Sequence, residues 1–187
     1  MNQEVYDIHR QLVEECKSGN RKAYNELYNS YARAMYNICY RMMSHADEAQ
    51  DMLQEGFIDA FRRLESFRFE STFGAWLKKI MIHKCINALE KRKIVWADVE
   101  ITEEFTRNDY NENTIDEEGL RLSVERVKKA MSRLPEGARV IFSLYLLEGY
   151  DHTEISEILH ISESTSKTQF MRARQMVKDI LLSMPAV

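Results

Sequence analysis

Glycine and proline are scarce in this chain, at six and two of 187 residues. They supply tight turns and interrupt helices, so their rarity argues against a turn-rich β architecture and for an all-α protein. The cysteines are only three, at positions 16, 39 and 85. They show neither close pairing nor a metal-ligand spacing, which excludes a disulfide framework and reads as reduced core thiols. Long apolar runs are missing as well. The longest, IFSLYLL, falls far short of the roughly 20 residues that cross a bilayer, and the start MNQEVYDIHR carries no apolar signal core. There is no Gly-rich phosphate loop and no His or Cys cluster. The expectation is a soluble, cytoplasmic protein without cofactor or metal and without membrane insertion.

A large excess of positive charge is also lacking, since the net charge is −4. The total hides an uneven distribution. Residues 62–93 hold nine Lys/Arg against three Asp/Glu, about +6, whereas residues 97–118 hold nine acids against one Arg, about −8. Segment charge governs affinity for nucleic acid, and a basic segment of this size is compatible with it.

What the chain does have is helical periodicity. A first helix is expected over residues 5–16, stopped by Ser18-Gly19-Asn20. A second runs over residues 21–43, with Ala23, Leu27, Tyr31, Ala34, Met35, Ile38 and Met42 as its apolar stripe. Its tyrosines, Tyr24, Tyr28, Tyr31, Tyr36 and Tyr40, read as core flanks with wet hydroxyls. Asp47 is the expected N-cap of a third helix whose buried stripe is Ala49, Met52, Leu53, Gly56, Phe57, Ala60, Phe61 and Leu64. Ser71 and Thr72 are placed to cap a fourth, starting near Gly74, with Leu77, Met81, Cys85 and Ala88 on one side. Residues 94–119 are acidic and aperiodic, which reads as a linker. Beyond it the period returns with Leu120, Val124, Val127, Met131 and Leu134, and Pro135 opens the next helix. That helix has Val140, Ile141, Leu144, Tyr145 and Leu147 as its apolar side and ends at Gly149. Asp151 with Glu154 forms a capping box for a short helix, His160-Ile161-Ser162 is a tight turn, and Ser162 caps a last helix reaching about Leu182. A short helix, a turn of about three residues and a longer basic helix describe a helix-turn-helix. The fold expected is all-α, with two small helical domains, residues 1–93 and 120–187, joined by the acidic linker 94–119.

Three stretches carry candidate chemistry. Opposite the buried stripe of the third helix lie Glu48, Asp51, Glu55, Ile58 and Arg62, and an exposed Ile among acids suits a partner surface, to which Gln54 is added. The same acids near His45 could be metal ligands or paired carboxylates, but an i, i+4 acid pair without a ligand cluster is ordinarily a solvated face. The loop FRFESTF and the helix after it interleave rings with cations: Arg68, Phe69, Phe73, Trp76, Lys78, Lys79 and Lys84, beside Ser71, Thr72, His83 and Asn87. Rings stack bases and cations neutralise phosphates, although Trp76 also fits a core. One of the Phe, Phe73, is expected inside. In the last helix Phe170, Ala173, Val177 and Leu181 face the core, while Ser164, Thr165, Lys167, Thr168, Met171, Arg172 and Gln175 face outward or flank that face. Small polar residues followed by Arg suit a major groove, and an ordinary solvated helix has the same pattern.

The acidic DEAQDMLQEGFIDAF helix, the FRFESTF loop, the GAWLKKI helix start and the C-terminal ISESTSKTQFMRAR together resemble the sigma-70 family of bacterial transcription initiation factors. The short extracytoplasmic-function subgroup is the most similar, over about nine-tenths of the chain. The resemblance implies a non-enzymatic protein that carries promoter specificity to RNA polymerase. Residues Glu48, Asp51, Gln54, Glu55 and Ile58 would grip the polymerase core. Arg68, Phe69, Ser71, Thr72, Trp76, Lys79, His83 and Asn87 would melt and hold the −10 box. Ser164, Thr165, Lys167, Thr168, Gln169, Met171 and Arg172 would read the −35 box. It also implies an anti-sigma partner. Three positions depart from the family: Ser166 replaces an aliphatic anchor, Gln169 a frequent Arg, and His83 a frequent Asn. The alternative from residues alone is a stand-alone helix-turn-helix regulator with a helical sensor domain, and a helical metal-dependent hydrolase is the alternative of another class.

Overall fold

The computed structural model describes residues 7–92, 96 and 124–184. The regular structure among them is helical throughout, in two compact units, Met1–Ile94 and Val95–Val187. Residues 1–6, the acidic stretch 97–123 and the helix start expected at Leu120 lie outside the described residues.

In the N-terminal unit α1 spans Arg10–Lys17, α2 Arg21–Met43, α3 Ala46–Arg62 and α4 Phe73–Lys91, with a 3-10 turn at Leu64–Ser66 between the last two. Local chemistry sets the boundaries. The Asn20 side chain accepts from the Lys22 N–H at the start of α2, and Ser44, with φ 61°, ends that helix in a left-handed turn. The expected helix over residues 5–16 begins only at Arg10. The Asp7 carboxylate accepts the His9 N–H at 2.9 Å, and this local bond competes with the helix. Nor does Asp47 cap α3. The N-cap is His45, without a side-chain bond, and Asp47 lies inside the first turn, where its charge favours the positive helix end.

The core is Leu27, Met42, Met43, Leu53, Phe57, Leu77, Met81, Ile82, Ile86 and Leu89, each almost wholly shielded from water. Burying each large apolar side chain contributes about 1.5–3 kcal/mol before chain entropy is subtracted. α3 and α4 run antiparallel, fixed by ion pairs between Glu48 and Arg92 and between Asp59 and Lys84, both at 2.7 Å. They approach closely at Gly56, because a side chain there would occupy the space of the Met81 thioether. Ala34, expected in the α2 stripe, is exposed.

In the C-terminal unit α5 is Val124–Met131, α6 Glu136–Leu146, α7 His152–Leu159 and α8 Glu163–Ser183. The Asp151/Glu154 capping box forms at 2.8 and 2.9 Å, His160 makes the tight turn at φ 53°, and Ser162 caps α8 through the Thr165 N–H. The Arg126 guanidinium donates to the carbonyls of Leu181 and Met184, both at 3.2 Å, and so serves the far end of α8. Tyr145 and Leu147 were expected on the buried side of α6 but are 37% and 44% exposed. The helix stops at Leu146 and the chain turns through Gly149 at φ 78°, so Leu147 lies past the helix and Tyr145 is covered only in part, by His152 and Phe170.

Gly56→Leu should push α3 off α4 and cost about 1–3 kcal/mol as an overpacked core. The urea midpoint of the full chain measures this, and adding Met81→Ala should restore part of the loss.

Candidate nucleic-acid and partner interfaces

On α3 the outward face is narrower than the sequence implies. Asp51, Gln54 and Ile58 lie exposed along it, and Ile58 is 49% accessible. Glu48 sits at the edge, half-buried, with its carboxylate on Arg92. Glu55 remains exposed but is 3.4 Å from Lys84, which also holds Asp59. The Lys84 hydrogen bond pulls the Asp59 carboxyl below its ordinary value, and Asp59 raises Lys84 in return. Lys84, expected to meet phosphates, is committed to these acids. The antiparallel pairing of α3 with α4 is the reason.

After the 3-10 turn the chain enters the aromatic loop. Phe67 and Phe73 are both buried, and Trp76 packs on them with ring centroids 5.1 and 5.7 Å apart. Trp76 is half-buried, so it belongs partly to this core. Phe69, like Trp76, is only half-buried. It takes φ 58°, a left-handed conformation that is costly for a residue with a Cβ and tends to occur at functional sites. Its ring lies 4.9 Å from Phe67, beneath the Arg10 guanidinium at 4.8 Å and the Lys17 ammonium at 5.1 Å.

The start of α4 shows how its first backbone donors are used. Thr72 is the N-cap, and its hydroxyl oxygen accepts the Ala75 N–H at 3.2 Å. The Phe73 N–H donates to the Asp7 carboxylate at 2.6 Å, across 66 residues of sequence. The Gly74 N–H faces the Tyr31 phenol oxygen, and a Cβ at Gly74 would lie 2.8 Å from that ring. Burial and then the Asp7 charge push the Tyr31 hydroxyl above its ordinary pKa, with the Gly74 N–H opposing them. His9 closes the group, its Nδ1 lying 2.8 Å from the Tyr31 hydroxyl. This helix end is therefore no open phosphate site. It offers ring faces and charge. Arg68 and Lys79 are exposed and have no hydrogen-bond or ion-pair partner among the described residues, and His83 and Asn87 continue the exposed strip from Lys79. Ser71 and Thr72 are half-buried, and the Ser71 hydroxyl donates to the Thr72 carbonyl at 3.3 Å. Sequence reasoning missed Asp7, His9 and Tyr31 at this site, and no local signal announces a cap so distant in the chain.

On α8, Ser164, Lys167 and Thr168 are exposed, and Thr165, Met171 and Arg172 are half-buried. Lys167 pairs with Glu163 one turn before it. Gln169 departs from the expectation. It is 4% exposed, because α6 and α7 both pack on the first half of α8 and widen its buried face to include Ser166 and Gln169. The Ser166 hydroxyl lies 2.9 Å from His152 Nδ1, and the imidazole stacks on Tyr145 at 4.4 Å and meets Phe170 edge-on at 5.7 Å. Among the described residues no group of three or more His, Cys, Asp or Glu could hold a metal ion, and no helix is long and apolar enough to cross a membrane.

The fold and these surfaces define a helical, two-unit protein with a C-terminal helix-turn-helix. Residues 27–94 match the model of sigma-70 region 2, and residues 125–177 that of sigma-70 region 4. The chain is 31% identical to the RNA polymerase sigma-H factor of Pseudomonas aeruginosa, over 92% of its own length and 93% of the relative's. It is 29% identical to the ECF RNA polymerase sigma factor SigW of Bacillus subtilis, covering 90% and 94%. Its fold resembles that of the sigma factor RpoE solved in complex with the anti-sigma factor NepR from Bartonella quintana, with a TM-score of 0.55 and 20% identity over 88% and 99% of the two chains. The chain belongs to the extracytoplasmic-function group of the sigma-70 family. It is an RNA polymerase sigma factor that directs promoter recognition, and not an enzyme.

Burial, aided by the Lys167 charge, lowers the His152 pKa, while Glu163 and Asp151 act the other way. The folded state thus disfavours the charged imidazole, and the unfolded chain takes up the proton first as pH falls through about 6.5. Protection of the α7 and α8 amides from hydrogen exchange should fall between about pH 7.5 and 5.5, and His152→Gln should flatten that slope.

Proposed function

We propose that the N-terminal unit, residues 1–93, grips core polymerase and melts the −10 box, that residues 94–119 link it to residues 120–187, and that this second part reads the −35 box. Asp51, Gln54 and Ile58, edged by Glu48 and Glu55, meet the polymerase. Phe69, Ser71, Thr72 and Arg68 receive an unstacked base, and Trp76, Lys79, His83 and Asn87 run along the strand. Ser164, Thr165, Lys167, Thr168, Met171 and Arg172 face the −35 duplex, with Gln169 set among the supports of α8. An anti-sigma factor restrains the protein, which works in the cytoplasm. The observation that carries this reading is the loop at residues 67–73. It keeps a half-buried ring under the Arg10 and Lys17 cations, next in sequence to the exposed Arg68, while the backbone donors of the following helix are already engaged. Such a surface suits stacking on bases, whose return of about 1–3 kcal/mol per base offsets unstacking. The similarity of the chain to sigma factors, one of them solved with an anti-sigma factor, supports the partners.

Transcription from a defined promoter with purified core polymerase, with and without the protein, tests the whole reading. Within it, Ile58→Glu should weaken core pull-down at an unchanged melting temperature. Phe69→Ala should keep core binding yet lose closed-template transcription several-fold, while staying active on a template pre-melted across the −10 box. Normal core pull-down by Ile58→Glu overturns the first assignment, and full closed-template activity of Phe69→Ala overturns the second.

On α8 the two cations separate by kind of contact. Arg172→Ala should cost about 1–3 kcal/mol at one base position and relax preference there. Lys167→Ala should weaken binding evenly and reduce the salt slope by about one, because Lys167 exchanges Glu163 for a phosphate. Unaltered promoter preference and salt dependence in both variants would rule out α8 as the reader.

A further inference from the structure

A carboxylate as buried as Asp7, 8% exposed, is stable only with partners, and both of its oxygens have them. Oδ2 accepts the Phe73 N–H at 2.6 Å and Oδ1 the His9 N–H at 2.9 Å. At the other end of the aromatic loop, the Lys17 ammonium donates to the Phe67 carbonyl at 2.6 Å. Two side chains from the start of the chain therefore hold both ends of residues 67–73. Between the two anchors Phe69 stands at φ 58°. A residue with a Cβ keeps such a conformation only where its surroundings over-determine it, and these anchors do so. Tyr31 strengthens the Asp7 end, with its ring against Gly74 and its hydroxyl beside His9.

We propose that Asp7, with Lys17 and Tyr31, is a positioning residue for promoter melting: the N-terminal segment clamps the aromatic loop so that the Phe69 ring stands ready before a base leaves the stack. The inference rests on the reading of that loop as the −10 capture site. Its physical basis is preorganisation. A loop that had to order itself as it received the base would subtract that ordering cost from the stacking gain. Asp7 does this without touching DNA, since its carboxylate would repel a phosphate and is already occupied by two backbone donors.

The test measures holoenzyme transcription on closed and pre-melted templates, with core pull-down beside it. Asp7→Ala should slow open-complex formation several-fold on the closed template and blur the −10 base preference. Activity on the pre-melted template and core binding should stay near wild type. Asp7→Asn keeps the shape but only one acceptor oxygen, and should fall between the two. Equal losses on both templates would mark Asp7 as a general stabiliser and overturn the proposal, as would a wild-type rate on the closed one. Should Asp7→Ala not fold, Tyr31→Phe removes only the hydroxyl and carries the same comparison. A smaller loss confined to the closed template supports the clamp, and none overturns it. Phe69→Ala, run in parallel, separates the two ideas. If it fails on the closed template while Asp7→Ala does not, the clamp alone is wrong. If Phe69→Ala behaves as wild type, the capture site itself is misplaced and the clamp falls with it.

Discussion

The N-terminal unit depends on how much of α4 is buried. Phe73, Leu77, Met81, Ile82, Cys85, Ile86 and Leu89 are all inside, which takes more than one face of the helix because α2 and α3 both pack against it. That demand leaves a narrow strip for solvent, and Lys79, His83 and Asn87 occupy it. A helix with so wide an apolar surface has little freedom to rotate, since any turn about its axis would bring cations into the core. The position of the candidate nucleic-acid strip thus follows from hydrophobic burial before any contact with DNA is considered.

The same burial explains why the acids of α3 have two fates. Where α3 crosses α4 at Gly56, the helices are close enough for Lys84 of α4, and Arg92 just past its end, to reach back, and Glu48, Glu55 and Asp59 are drawn to them. Farther round the helix, Asp51, Gln54 and Ile58 stay exposed and remain as a surface. Such half-exposed ion pairs add little stability, but they fix register between the helices.

In the C-terminal unit α8 is held at its start by α6 and α7 and at its end by Arg126. Polar residues have been drawn into that packing: Ser166 meets His152, and Gln169 is covered. Where a sequence of this family usually carries an aliphatic anchor, this chain uses a hydroxyl paired with an imidazole that stacks on Tyr145 and meets Phe170 edge-on. Protonating that imidazole would place a charge against Tyr145 and Phe170 at a cost in desolvation, which links the seating of α8 to pH.

Among the described residues, the order of the helices, the boundaries of α2, the Asp151 capping box and the Ser162 cap were legible in the sequence, because periodicity and capping are local and act over three or four residues. The outward positions of Asp51, Ile58, Lys79, Lys167 and Thr168 followed from the same period. Residues decided by a second or third element were not legible. A single helix cannot show that Gln169 is covered from two sides, that Lys84 is held by acids of α3, or that Tyr145 is covered only by His152 and Phe170 and stays 37% exposed. Asp7 is the extreme case, since its partner is a backbone N–H 66 residues away and no spacing rule reaches that far. Sequence by itself determined where most of the described helices lie and the main apolar stripe of each. Tertiary structure decided which polar groups stay available to a ligand, because availability depends on what every neighbouring element has already taken.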